Sequence, residues 1–364
     1  MEPISVALVR ISFEEDSTNS TTGNGQFLLT NEGIDCGSYT IDPPPHDYNY
    51  FLSQLHSVNQ YFENVSYGKF GIDLAQSSIY PSSLNGNYQL SNTMDFYNPY
   101  DDPLGQEEKL TKLFKDAIEQ SYDEDTIEFS KYDLVVVFHA GIGQDFSLPF
   151  LDPTPEDIPS TYIDEDMIQE HLGESHIFVG NHAIQKGIIL PETQNHLLYD
   201  ISETMFSDAE NPCEYQYGIT GTFSLMIGFA IGLPPLWNIQ TGESGVGVFG
   251  LMDQGSNNGR GIIPAPPTAW SRIYAGWENY VIGELGSEYH IPTRSENSII
   301  KVPIREDEYY LIESRSNWIK PKVSIDSLRY EIGSSSSLNL YPPYIEILID
   351  SSGLERDSNG VFTF

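Results

Sequence analysis

The stretch "HLGESH", His171 to His176, comes nearest in this chain to a spacing that does chemistry. Two imidazoles and a carboxylate close together can share a zinc ion and activate its bound water, as the inverted zinc motif HxxEH does. Here one extra residue parts the two histidines, and an ordinary surface turn accounts for the stretch equally well. A metal site built in this region would draw on His171, Glu174, His176 and the nearby His182. The acidic run "LDPTPEDIPSTYIDEDM" supplies hard oxygen ligands suited to Ca²⁺, but without EF-hand spacing, and it also reads as a solvated loop. Cys36 and Cys213 are too few for a disulfide scaffold and wrongly spaced for a zinc ribbon or a CxxC redox site. A single bridge between them stays open. No Ser-His-Asp or Cys-His order stands out, and the glycine-rich segments lack the lysine and strand context of a phosphate loop.

The 364-residue chain carries 53 acidic and 17 basic residues, a formal net charge of -36. Such a surface repels nucleic acid and anionic lipid and favours cations or basic partners. A nucleic-acid-binding role is excluded on that ground, although charge alone names no function. The N-terminal "MEPISVALVRISF" shows no basic region followed by an apolar run and a cleavage site, so it reads as a strand and not as a signal peptide.

Several elements could position reactive groups. Residues 4–13 alternate and are rich in Val and Ile, predicting a strand. Tyr50, Leu52, Leu55, Val58 and Phe62 recur at helical spacing up to Ser66-Tyr67-Gly68, after which "KFGIDL" predicts a strand. A second amphipathic helix is predicted over 105–122, then a buried strand in "YDLVVVFHAG" and another in "KGIILPET". A short helix is predicted from near Pro267, and beyond Trp277 come short strands in "YVIGEL", "SIIKVPI", "EYYLIESRS" and "YIEILIDSSG". This change of texture predicts two units, 1–284 and 285–364, with "GSSSS" at 333–337 the one low-complexity patch.

The apolar stretch "GTFSLMIGFAIGLPPLW", Gly221 to Trp237, sits oddly in so acidic a chain. Its dense part, Phe223 to Leu233, is shorter than the ~20 residues a membrane span needs, which predicts a buried helix and no membrane span. "GFAIGLPPLW", "GVFGLMDQGS" and "PPTAWSRIYAGW" resemble, in order and spacing, blocks of the M6 family of metalloproteases, the immune inhibitor A type. "YFENVSYGKFGIDL", "VVVFHAGIGQDF", "GIILPET" and "EYYLIESRSN" extend the resemblance over most of the chain. It implies an α+β, zincin-like metalloprotease fold with a mixed sheet and a buried former zinc helix, followed by a β-rich segment that stops short of completion. It also implies an extracellular or cell-surface origin.

Setting Gly232, Leu233 and Pro234 on the GLP of the family's HExxHxxGLPDLYD pattern puts Leu225 at the first zinc histidine, Met226 at the catalytic glutamate and Phe229 at the second histidine. Pro235 falls where a further acidic ligand belongs, and Met252 matches the Met-turn methionine. His139 aligns near the cleft, where it is expected to shape a turn, while Asp253 and Arg272 are expected to brace the Met-turn. Zinc is the cofactor of active members, but Leu and Phe have no lone pair to donate, Met is a soft ligand ill suited to catalytic zinc, and Pro235 offers no side-chain donor. Losing a general base alone removes ~10²- to 10⁴-fold of rate, and losing the ligands removes the activated water too.

The expected protein is therefore a pseudo-protease without a cofactor, with a binding or structural role. The alternative is a secreted zinc hydrolase acting on proteins through a relocated site at His171, Glu174, His176 and His182. For Leu225, Met226 and Phe229, the usual fate of large apolar residues predicts that they fill the former cleft as core. Otherwise they floor an apolar groove that holds a protein or peptide ligand without cutting it.

Overall fold

The computed structural model describes residues 2–31, 33, 35–100, 102, 105–146, 152–199, 212–293, 295–315, 318–320, 323–324 and 354–363. The strand expected in "YIEILIDSSG" and the "GSSSS" patch lie outside the described residues. The fold is α+β and its main sheet is mixed. That sheet contains β1 (Val6–Ser12), β2 (Ser78–Tyr80), β3 (Tyr88–Gln89), β4 (Leu134–Ile142) and β5 (Thr161–Ile163). A separate hairpin of β6 (Ile177–Val179) and β7 (His182–Ile184) precedes the sixth strand, β8 (Gly187–Thr193).

The order is β2-β1-β4-β8-β5, with β3 also pairing β1. All pairings are parallel except that of β5, which runs antiparallel to β8 at the edge, with Tyr162 opposite Ile188. Strands β1, β4 and β8 are buried along their whole length, because helices cover both faces of the sheet. Near-continuous apolar runs are what such strands require.

Alternate residues of each strand feed two cores. Val6, Leu8, Val136, Phe138, Ile188 and Leu190 face helix α1 (Tyr48–Val65). Ala7, Val9, Val135, Val137 and Ile189 face α2 (Gln106–Asp125) and α3 (Glu165–Leu172). Asp47 caps α1, its Oδ1 accepting the backbone N–H of Asn49 at 2.8 Å and of Tyr50 at 3.1 Å. Asp164 caps α3 through the Met167 N–H at 2.9 Å.

The apolar stretch forms α4 (Thr220–Ala230), packed against α1, β5 and β8. Its Phe223, Ile227 and Ala230 join the α1 core, with Phe223 edge-on to Phe138 at 5.3 Å. The helix ends because Gly232 takes a left-handed conformation (φ 87°), letting Leu233 N–H return to the Gly228 carbonyl at 2.9 Å. Helix α5 (Ala269–Tyr274) follows, capped by Thr268, and then a small sheet of β9 (Tyr280–Ile282), β10 (Ile299–Pro303) and β11 (Tyr309–Ile312). Among the described residues, no helix is long and apolar enough to cross a membrane.

Two expectations need correction. "KFGIDL" forms no strand and contributes only an isolated bridge between Ile72 and Ile4; the pairing strand comes later, at Ser78–Tyr80. The acidic run is not wholly loop, since it supplies β5 and the start of α3. Contacts also cross the expected boundary at 284. Phe362 is buried and its carbonyl accepts the Ser57 hydroxyl of α1 at 2.7 Å. Cys36 and Cys213 are bonded to each other, with Cα atoms 5.9 Å apart, which closes the question the sequence left open.

Candidate functional site

Along α4, Met226 points inward and is buried, whereas Leu225 and Phe229 lie one turn apart on the same flank and are half-buried. All three were expected to fill the cleft as core. All three pack on the main core, Met226 within it and Leu225 and Phe229 half-buried at its margin. On this flank Phe229 meets β5, a three-residue strand at the edge of the sheet.

Phe229 is the centre of a small aromatic group. Its ring lies 6.3 Å from that of Tyr162 on β5, nearly parallel at 19°, and 5.7 Å from that of Trp237, edge to face at 77°. Tyr162 and Trp237 are also half-buried. Beside them opens a pocket of about 450 Å³ lined by Ile4, Asp133, Leu134, Tyr162, Lys186, Phe229 and Ala230 at the end of α4, and Ile231 and Gly232 just beyond it. Lys186 Nζ donates to the Ala230 carbonyl at 2.7 Å, placing a cation at the negative end of the helix.

The floor of the site is closely packed. Met252 is fully buried beneath α4, and a Cβ built on Gly228 would lie 2.5 Å from Met252 Sδ. Leu236, next to the half-buried Pro235, donates its N–H to the Met252 carbonyl at 2.8 Å. Asp253 holds the following loop: its Oδ2 accepts Ser244 Oγ and the N–H groups of Gly245, Val246 and Gly247 at 2.7–2.9 Å, and its Oδ1 accepts Gln254 N–H at 2.8 Å. Burial opposes the charge of this carboxylate, but those donors outweigh it and hold its pKa below the ordinary value. Arg272 donates to Pro267 O at 2.5 Å, to Glu313 at 2.7 Å and to Glu278, so both residues brace this region as expected.

At the other end of α4 the surroundings are polar. Thr222 Oγ1 donates to Gln194 Oε1 at 3.0 Å, and Gln194 Nε2 donates to Asp145 Oδ2 at 2.7 Å, which also accepts Ser160 Oγ at 2.7 Å. Behind it lies a fully buried cluster. Glu192 accepts His46 Nδ1 at 2.6 Å, Leu28 N–H at 2.9 Å, Gly141 N–H at 2.7 Å and the Tyr199 hydroxyl. His46 Nε2 faces the Asp42 carbonyl at 2.9 Å, and Asp42 Oδ2 accepts Ile219 N–H at the start of α4 at 2.9 Å. Each ring nitrogen of His46 faces an oxygen, an arrangement that favours the protonated ring. Burial works against that charge, but Glu192 and Asp42 together raise the His46 pKa.

The residues proposed for a relocated metal are not brought together. His171 Nε2 lies 3.5 Å from Glu107 on α2, Glu174 lies 3.7 Å from Lys115, His176 contacts Ser175 and Gln185, and His182 Nδ1 faces Ser130 Oγ at 2.9 Å. Among the described residues no group of three or more His, Cys, Asp or Glu side chains is placed to hold a metal ion. Nor do the side chains at the positions that the resemblance assigns to zinc fit that metal, since Leu225, Phe229 and Pro235 supply no donor and Met226 is turned into the core. His139 shapes no turn. It sits within β4, fully buried, with Nδ1 donating to Ala140 O at 2.9 Å, and burial lowers its pKa to about 4.

Sequence reasoning missed Tyr162, Lys186 and Trp237 as members of the site. Trp237 closes the apolar stretch, so its position was visible although its part was not. No protein-family model and no curated protein matches this chain.

Proposed function

We propose that this chain is a pseudo-protease of the M6, immune inhibitor A type, whose former catalytic cleft binds an extended polypeptide segment without cutting it. The observation that carries this reading is the half-buried Leu225–Phe229 flank of α4 beside β5, which among the described residues pairs with another strand on one side only. A free edge offers backbone hydrogen bonds to an added strand, and apolar side chains beneath it offer contacts to alternate residues of that strand. The contact of Gly228 with Met252 supports the zincin-like reading, since a methionine under the helix is what the resemblance implies. The Cys36–Cys213 bridge supports an oxidising, extracellular setting.

Hydrolysis lacks its parts at this site. There is no general base at 226 and no donor set at 225, 229 and 235 to hold a water-activating metal. What remains is positioning. Peptide backbone would align along β5, and apolar side chains would settle against Leu225 and Phe229.

Titrating fluorescent extended peptides and following their integrity by mass spectrometry tests both halves. Saturable binding that Phe229→Asp abolishes, with every peptide intact, is the expected result. Stoichiometric zinc with chelator-sensitive cleavage would overturn it, as would failure of all peptides to bind.

A further inference from the structure

The pocket at the C-terminal end of α4 is suited to a positive charge. Three features lean the same way. The half-buried rings of Phe229 and Tyr162, stacked nearly parallel, line the pocket, and aromatic quadrupoles attract cations. The exposed Asp133 carboxylate lines the same pocket, anchored by Ser5, whose N–H and Oγ each donate to Oδ2 at 2.8 Å. The last carbonyls of α4 form the negative end of the helix dipole, and Ala230, Ile231 and Gly232 all line the pocket. An internal cation already responds to this field, since the Lys186 ammonium binds the Ala230 carbonyl at 2.7 Å. The net charge of -36 reinforces the preference from a distance, drawing basic ligands toward the surface.

Resting on the peptide-groove reading above, we infer that the bound segment is basic, and that one of its arginine or lysine side chains enters this pocket, against Phe229 and Tyr162 with Asp133 as counter-charge. Lys186 then acts as a competing cation that lowers affinity for such a side chain. The specificity is local, set by residues at 133, 162, 186 and 229, and separate from the bulk attraction of an acidic protein.

Fluorescence anisotropy distinguishes these levels. Three extended peptides of about ten residues, identical but for a central arginine, norleucine or glutamate, are titrated at low salt and at about 0.5 M salt, where distant charges are screened. The arginine peptide is expected to bind ~3- to 30-fold tighter than the norleucine peptide, and the preference to survive high salt. Phe229→Leu keeps an apolar side chain but removes the ring, and it should shrink the preference, as should Asp133→Asn; Lys186→Gln should enlarge it. Circular dichroism of each variant checks that the fold is kept. Equal binding of all three peptides, abolished by Phe229→Asp, overturns the basic-ligand inference while leaving the groove intact. A preference that disappears at high salt and ignores the variants reduces it to bulk attraction and also overturns it. If no peptide binds, the groove reading falls and this inference falls with it.

Discussion

Gly228 and Met252 meet so closely that a methyl group on Gly228 would lie 2.5 Å from Met252 Sδ. Two effects then compete in Gly228→Ala. Alanine improves helix propensity by about 0.5–1 kcal/mol over glycine, whereas overpacking a filled core costs about 1–3 kcal/mol. Met252 Sδ and Cε are the far end of a flexible side chain, but that side chain is fully buried and Leu251 also comes within 3.7 Å of the added methyl, so overpacking wins. Gly228→Ala is expected to lower the urea midpoint, and adding Met252→Ala should recover less than the sum of the two losses. A neutral or stabilising Gly228→Ala would show that the helix is free to move off the turn.

Leu225 and Phe229 share a half-buried flank, so the double variant Leu225→His/Phe229→His would set two imidazoles at i and i+4 on one side of the helix. Zinc should raise the thermal midpoint of this variant and leave the parent unchanged. Met226 differs because it faces the core, and Met226→Glu buries an unpaired carboxylate there. That change alone should destabilise the fold by several kcal/mol, on the order expected for an uncompensated buried charge. Equal tolerance at 226 and 229 would contradict the orientation of α4.

Asp157 gives stability an unusual pH dependence. Its carboxylate is fully buried, and burial, with Asp152 nearby, raises its pKa from 3.8 to about 7 against the donors of Thr22. A folded pKa above the unfolded one means that the contribution is complete below about pH 4 and lost as pH rises through about 7, on the order of 4 kcal/mol in all. His46 acts in the same direction at higher pH: its raised folded pKa gives stability that is full below about 6.5 and declines as pH rises through the folded value. Urea denaturation across this range should show stability falling with pH, and Asp157→Asn should flatten the lower part of the slope alone. An unchanged slope in Asp157→Asn would remove the carboxylate from the account.

The sequence shows β1, β4 and β8 plainly because strands buried on both faces need little but apolar residues, and it shows α1 and α2 through their helical period. Strand β5 is hidden because three residues carry no period; pairing with β8 makes it a strand. The partners His46 and Glu192 are 146 positions apart, and only the folded sheet makes them neighbours. For α4 the difficulty is of another kind. A helix apolar on all sides gives no sign of which side stays only half-buried, and that is decided by what packs on it in the fold.

The Cys36–Cys213 bridge anchors the chain leading into α4 to the loop before α1, across 177 positions. Noncovalent contacts run beside it: Gln216 Oε1 accepts Ile41 N–H at 2.7 Å and Asn195 Nδ2 at 3.0 Å. Removing the bridge frees a long loop in the unfolded chain but leaves these contacts in the folded one, so the expected loss is about 2–5 kcal/mol without change of fold. Helix α4 rises about 1.5 Å per residue, which puts its Phe229 end some two turns or more from its bridged end. The double variant Cys36→Ser/Cys213→Ser should therefore unfold at lower urea while binding extended peptides with the parent affinity. If peptide affinity falls along with stability, the bridge also sets the position of Leu225 and Phe229, and the groove is held from both ends of the helix.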